Sequence, residues 1–342
     1  MFFYVRLLVV SAMDQIDFAK ARSALKFGLQ ALGACPGDSV LIPDYICNVV
    51  WHPIRQLGLQ IVTYPIDDHL SPDWSELERI QRRHSAWAIL MVHYFGQPQN
   101  LNDFLSFCHR HDLKLIEGNA HGHQGKYQGR LLGTLGDFGI SSPRKFLDVS
   151  IGGCLHIVDA SVVLANPTWK VLPVASENAT ESLKSLIRRS ATIHNWLKSL
   201  RGINRDWSDP FLFQESEQAD QLITPAASAR LRSADWNQIA IQRRAAWQSW
   251  QEFCVANGLK PVFDAVDDES CPWAYPVYAK NLAVRNRWLA WGVRHGIPLF
   301  SWPALPHEVI HANGNSLARW QRMLCFPLDA EPMICKGPNF AI

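Results

Sequence analysis

At 342 residues, with 48% hydrophobic and 19% charged side chains, the chain is long enough for a sizeable core and too apolar to be disordered. Its 33 basic and 31 acidic residues nearly cancel, so it carries no electrostatic footprint for nucleic acid. A mean hydropathy of -0.08 excludes a multi-spanning membrane protein, and the length suggests two domains.

The apolar run over residues 1–10 is interrupted by Arg6 and lacks a small-residue cleavage site, so a packed strand is expected there rather than a signal peptide. Asn178-Ala179-Thr180 fits a glycosylation acceptor, but nothing else suggests secretion. Phe18, Ala21, Leu25, Leu29 and Leu32 share one helical face, and Gly33 with Pro36-Gly37-Asp38 stops that helix. Short apolar runs at 39–42, 60–64, 86–92 and 113–117 read as strands with helical patterns between them. Such alternation, with continuously apolar strands, predicts a mostly parallel sheet buried on both faces in a three-layer α/β/α sandwich. Past residue 155 the rhythm changes to helices, including one over 181–200. One long helical pattern over 226–257 then leads to strands at 259–263 and 273–278 and a helix around 284–295. Residues 1–225 are therefore expected to form a large domain and residues 226–342 a small C-terminal α/β domain.

Eight cysteines, at positions 35, 47, 108, 154, 254, 271, 325 and 335, show no CxxC spacing, which fits reduced thiols in a cytoplasmic protein. His121 and His123 lie two apart without a third ligand motif, so no metal site is expected. Among the 14 tryptophans, Trp236, Trp247, Trp250, Trp273, Trp288, Trp291 and Trp302 could stack a sugar or a base. Core or interface packing is the expected use of most of them.

Ligands of doubly wound proteins collect at the carboxyl ends of the strands, and four loops there carry unusual residues. The start of the first helix, Lys20-Ala21-Arg22-Ser23, offers free N–H groups suited to a phosphate, or is an ordinary solvated helix turn. Pro43-Asp44-Tyr45-Ile46-Cys47-Asn48 and His93-Tyr94-Phe95-Gly96-Gln97-Pro98 supply two further loops. The last is Ile116-Glu117-Gly118-Asn119-Ala120-His121, followed by Gly136-Asp137-Phe138-Gly139-Ile140-Ser141-Ser142-Pro143-Arg144-Lys145.

From about Phe18 to Leu155 these pieces, in order and spacing, resemble the DegT/DnrJ/EryC1/StrS family of sugar aminotransferases dependent on pyridoxal 5'-phosphate (PLP). Gly296-Ile297-Pro298 and Leu324-Cys325-Phe326-Pro327-Leu328 are similar to that family's small domain. The resemblance implies the fold of aspartate aminotransferase and amino transfer from a donor such as glutamate to a keto sugar nucleotide. It also implies a homodimer working in surface polysaccharide or glycoconjugate synthesis. By position, Lys145 matches the lysine that bonds the cofactor, Arg22 and Ser23 the phosphate cradle, and Ser141 or Ser142 a further phosphate ligand. His121 stands where a glutamine contacts the ring hydroxyl.

The departures weigh as much as the matches. The family strand ends in Glu-Asp, whose aspartate keeps the pyridine nitrogen protonated; here the pair is Glu117-Gly118. Side chains alternate along a strand, so Glu117 should point away from the ring. Losing a charge-assisted bond of about 1.5–3 kcal/mol corresponds to roughly 10- to 100-fold in rate. Asn119 and His121 are the nearest candidates in sequence to approach that nitrogen, and a neutral donor would leave it unprotonated. Cys47 replaces an aromatic residue that stacks on the ring, with Tyr45 as the alternative. No counterpart of the family's asparagine-arginine element from the neighbouring subunit is found in residues 206–228. Two further readings follow: a pseudoenzyme or binding subunit of the same fold, or a PLP enzyme of non-transaminase chemistry.

Overall fold

The computed structural model describes residues 14–158, 168–176, 206–212 and 214–329. The strand expected over 1–10, the helix over 181–200 and the Asn178 triplet lie outside these residues.

The first described element is strand β1 (Asp14–Phe18), which corrects the expectation that Phe18 opens a helix. Phe18 pairs with Gly153 in an antiparallel ladder and is fully buried, so the ladder takes a residue that helical spacing alone would also have accepted. Helix α1 (Ala21–Ala31) follows and ends before Gly33, whose φ of +85° suits a residue without Cβ. Strands and helices then alternate: β2 (Ser39–Pro43), α2 (Trp51–Gln56), β3 (Gln60–Tyr64), α3 (Trp74–His84), β4 (Ala88–Val92), α4 (Leu101–His111) and β5 (Lys114–Asn119). A small ladder of β6 (Lys126–Tyr127) and β7 (Arg130–Leu131) precedes β8 (Phe138–Ser141) and β9 (Gly153–Ile157).

The large sheet has the order β1-β9-β8-β5-β4-β2-β3. It is parallel from β3 through β2, β4 and β5 to β8, and antiparallel at β9 and β1. All five residues of β4 are buried, as a central strand covered on both faces requires. The result is a three-layer α/β/α sandwich with a mostly parallel sheet.

The C-terminal part contains α5 (Pro225–Arg232), α6 (Trp236–Ala256), β10 (Lys260–Pro261), β11 (Ala274–Tyr278), α7 (Leu282–Arg294), α8 (His307–Ala312), α9 (Asn315–Arg322) and β12 (Met323–Pro327). The helical pattern read as continuous over 226–257 is two helices. Asp235 interrupts it as an N-cap, its carboxylate accepting from the Gln238 N–H at 2.9 Å. Strands β10, β11 and β12 form an antiparallel sheet. Trp247, Trp250, Trp288 and Trp291 pack with Tyr275 and Phe326 in its core, which accounts for four of the tryptophans as packing residues. The core of the large sheet continues into Tyr278, Trp302 and Trp320, so the two sheets share apolar contact. Among the described residues, no helix is long and apolar enough to cross a membrane.

Candidate active site

A cavity of about 400 Å³ opens where the carboxyl ends of β4, β5 and β8 meet the start of α1, within the size range of small-molecule sites. The sheet builds its floor by register. Val92 pairs with Gly118 and Gly118 with Ile140 across three adjacent strands, and Leu90 lies two residues before Val92 on the same face. All four line the cavity, so this floor is apolar.

Lys145 reaches the cavity from a short 3₁₀ turn, Pro143–Lys145, that follows β8. The side chain is half-buried, and its amine lies 3.7 Å from the centroid of the Trp273 ring, a cation–π distance. Burial pulls its pKa down from the ordinary lysine value to about 7, a shift that the neighbouring Arg144 charge reinforces and Cys47 opposes. A large fraction of the amine is therefore unprotonated, and nucleophilic, near neutral pH.

The opposite end is polar. Lys20 occupies the N-cap of α1 without a side-chain cap; the Ser23 N–H turns back to the Lys20 carbonyl at 3.1 Å, which leaves the Ala21 and Arg22 N–H groups without an intrahelical acceptor. Gly153 permits this arrangement: a Cβ there would sit 2.2 Å from the Ala21 nitrogen, so only glycine lets β9 pass so close to the helix start. Arg22, Ser142 and Arg144 line the same region. Arg22 forms an ion pair with Glu215 and donates to the Ser216 carbonyl at 2.9 Å. Glu215 belongs to a segment strapped across α1, since Asp220 also accepts from Ser23 and Lys26 at 2.7 Å each.

His121 lines the cavity among aromatic rings, 4.5 Å from Trp273 and 4.8 Å from Trp302 between centroids. Burial holds its pKa well below the usual imidazole value, and the Lys145 charge adds to this. Its Nδ1 accepts from the Phe95 N–H at 3.3 Å, so the proton of the neutral ring resides on Nε2. Cys47 is on the wall, its thiol pKa raised by burial.

Of the expected site residues, the fold thus brings Arg22, Cys47, Gly118, His121, Ser142 and Lys145 to one cavity. The other four face elsewhere. Ser23 is buried and donates to Asp220. The Tyr45 ring is fully buried beneath Arg319, 5.4 Å from that guanidinium, with its hydroxyl bonded to the Trp302 carbonyl, so it is not a stacking partner for a ligand. Asn119 donates to the Gly122 and Leu132 carbonyls at 3.0 Å each. Ser141 sits between two buried imidazoles, 2.8 Å from His123 Nδ1 and 2.9 Å from His156 Nε2, which leaves Ser142 as the serine on the cavity. Glu117 points to the face of β5 opposite Gly118 and accepts from the backbone N–H groups of Gly133, Leu135 and Gly136 and from His93 Nε2.

Arg144, Trp273 and Glu215 also line the wall, with little in the sequence to mark them as ligand-facing. Arg144 stands next to Lys145 in the sequence but carries no ligand signal of its own. Trp273 was one of many tryptophans, and Glu215 had no local signal at all.

A family model matches residues 11–163, the part of the chain that builds this floor, the α1 start and the Lys145 turn. That model describes the DegT/DnrJ/EryC1/StrS aminotransferase family. The dTDP-3-amino-3,4,6-trideoxy-alpha-D-glucose transaminase of Streptomyces venezuelae is 31% identical over 112 residues, 32% of this chain and 29% of that protein. The GDP-perosamine synthase of Vibrio cholerae is 25% identical over 320 residues, 87% of this chain and 83% of that protein. The first four curated relatives are matched over only 28–36% of their own length. Among solved structures, Helicobacter pylori PseC, an aminotransferase involved in pseudoaminic acid biosynthesis, superimposes with a TM-score of 0.69. That match has 14% identity and covers 92% of this chain and 81% of PseC. The chain therefore shares the fold of these aminotransferases.

A PLP-sized ligand fits this cavity at two of its three points. The uncapped α1 start with Arg22, Ser142 and Arg144 suits a phosphate, and the lysine with a depressed pKa suits an aldehyde. The apolar floor at Gly118 offers nothing to a protonated ring nitrogen.

Proposed function

We propose that the protein is a PLP-dependent aminotransferase that delivers an amino group to a keto sugar nucleotide. The observation that carries this reading is the Lys145 amine, held near a pKa of about 7 in a cavity whose other end is an uncapped helix start. PLP, when bound, supplies an electron sink for carbon–hydrogen cleavage and a carbonyl that carries the amino group.

The chain's own residues then divide the work. The α1 N–H groups, Ser142 and the guanidinium groups of Arg22 and Arg144 would bind the phosphate by charge-assisted hydrogen bonds. The unprotonated Lys145 Nζ would hold the cofactor aldehyde, whose oxygen would leave as water, and once released would accept or return a proton at that atom. His121 would offer its Nε2–H to a ring oxygen of the cofactor. Trp273 and Trp302 exclude water from the amine.

Two lining guanidinium groups, Arg22 and Arg144, face one lining carboxylate, Glu215. That imbalance supports a substrate carrying phosphate as well as the cofactor, as a sugar nucleotide does. Amino transfer in polysaccharide or glycoconjugate synthesis, in the cytoplasm and as a homodimer, is the setting this reading expects. Light scattering of the purified chain tests the dimer.

The decisive experiment adds PLP to the purified chain, reduces with borohydride and maps the product by mass spectrometry. Cofactor attached at Lys145, and none in Lys145→Ala, is the expected result; attachment elsewhere or none at all overturns the reading. Glutamate and glutamine are then supplied separately, and spectral conversion of the cofactor to its amine form by either one is expected. Retained cofactor with no conversion by any amino donor would favour a PLP enzyme of other chemistry, and the apolar floor beside Gly118 is the feature that argues for that second reading.

A further inference from the structure

We infer that the chain holds PLP with its ring nitrogen unprotonated, in a cavity that supplies no counter-charge to that atom. This rests on the PLP reading above and specifies its electronics.

The floor row is the first observation. Val92, Gly118 and Ile140 are register neighbours on three strands, and with Leu90 they present only apolar groups. A second observation removes the nearest alternative. Glu117, adjacent in sequence, is fully buried on the other face of β5 and accepts from four donors, so it cannot turn toward the cavity without stranding all of them. Asn119 is likewise turned away and already donates to two carbonyls.

The remaining titratable groups on the cavity push in the same direction. Glu215 is paired with Arg22, while the Arg144 guanidinium adds positive charge. Cys47 is kept as a thiol and His121 as a neutral ring by burial. A pyridinium would add a further cation to this set over an apolar floor, which the Coulomb energy and desolvation both oppose. Nor does the position readily admit a larger side chain. A Cβ on Gly118 would meet the Met91 carbonyl at 3.2 Å, Leu90 Cδ1 at 3.3 Å and Val92 Cγ2 at 3.4 Å.

Two measurements on the full PLP-loaded chain test this. With ¹⁵N-labelled PLP, the ring nitrogen should resonate in the neutral pyridine range at pH 7; a pyridinium resonance on cofactor attached to Lys145 would overturn the inference while leaving the PLP reading intact. The second compares PLP with its 1-deaza analogue, which carries C–H in place of the ring nitrogen. Affinities equal within about threefold are expected, because the chain makes no charged bond to that atom. A loss of tenfold or more for the analogue, about 1.4 kcal/mol, would show such a bond and overturn it. Absence of any cofactor at Lys145 overturns the PLP reading itself, and this inference with it. Gly118→Asp should move the ¹⁵N resonance toward pyridinium where it folds, and the analogue comparison decides the matter where it does not.

Discussion

Replacing Glu117 by Gln changes one atom, and the structure says what that atom does. Oε1 accepts from the Leu135 and Gly136 N–H groups, and Oε2 from the Gly133 N–H at 2.9 Å and His93 Nε2 at 3.1 Å. His93 cannot reverse its role, because its Nδ1 accepts from the Gln99 N–H at 3.1 Å and its proton is therefore on Nε2. A Gln amide keeps one oxygen and turns an NH₂ toward one pair of donors, so two buried donors lose their acceptor. At about 1–3 kcal/mol for each stranded group, Glu117→Gln should lower stability by about 2–6 kcal/mol. Urea unfolding of the full chain measures this as a shift of the midpoint at unchanged slope. A loss below about 1 kcal/mol would refute the claim that this carboxylate holds the 133–136 loop. Because Glu117 faces away from the cavity, the pH profile of cofactor capture by Lys145 should be unchanged in whatever variant folds.

That profile is itself a prediction. With a Lys145 pKa of about 7, the neutral amine rises from roughly a tenth at pH 6 to roughly nine-tenths at pH 8. Stopped-flow capture of PLP should then quicken roughly ninefold across this interval and level off, whereas a rate still climbing tenfold per unit at pH 9 would describe an ordinary lysine. Trp273→Leu removes the ring that favours the charged amine, worth about 0.5–1 kcal/mol, so the midpoint of the same profile should fall by about half a unit. No movement, or an upward one, would count against the contact. Burial lowers the pKa of His156 from 6.5 to about 4. The unfolded chain therefore binds more protons between those values: stability is full above pH 6.5 and falls as pH drops toward 4, by about 3 kcal/mol from this group. Urea midpoints for wild type and His156→Gln should converge as the pH falls, and parallel curves would exclude the link. Finally, Gly153→Ala drives a methyl into the α1 start and should cost about 1–3 kcal/mol and weaken PLP binding in an equilibrium titration; wild-type binding would show that the helix start is not the phosphate cradle.

Much of the fold was legible because the strands are unambiguous. The run containing β4 is wholly apolar and bounded by turns, and the run at 60–64 coincides with β3. Phe18 was misplaced because apolar spacing does not distinguish the last residue of a strand from the first of a helix until its ladder partner, Gly153, is known. Within the site, the period of two would have decided more than it was asked to. Gly118 and Ala120 line the cavity while Glu117 and Asn119 do not, and Ile140 and Ser142 line it while Ser141 does not. The rule stops at the strand end, so His121, in the loop beyond β5, reaches the cavity for reasons that no alternation contains. Trp273 and Glu215 were illegible for a different reason: they arrive from 128 and 70 residues beyond Lys145, and only the packing of the second sheet and the strap across α1 puts them there.

The contact between Lys145 and Trp273 joins the turn after β8 to the residue just before β11, so it latches one sheet to the other. Its electrostatic part exists only while the amine is charged. Loss of the positive charge on that amine loosens the latch by about 0.5–1 kcal/mol. The C-terminal sheet is thus mechanically informed of the chemical state of a single nitrogen in the other sheet, and occupancy of the cavity can set how tightly the two halves of the chain are held together.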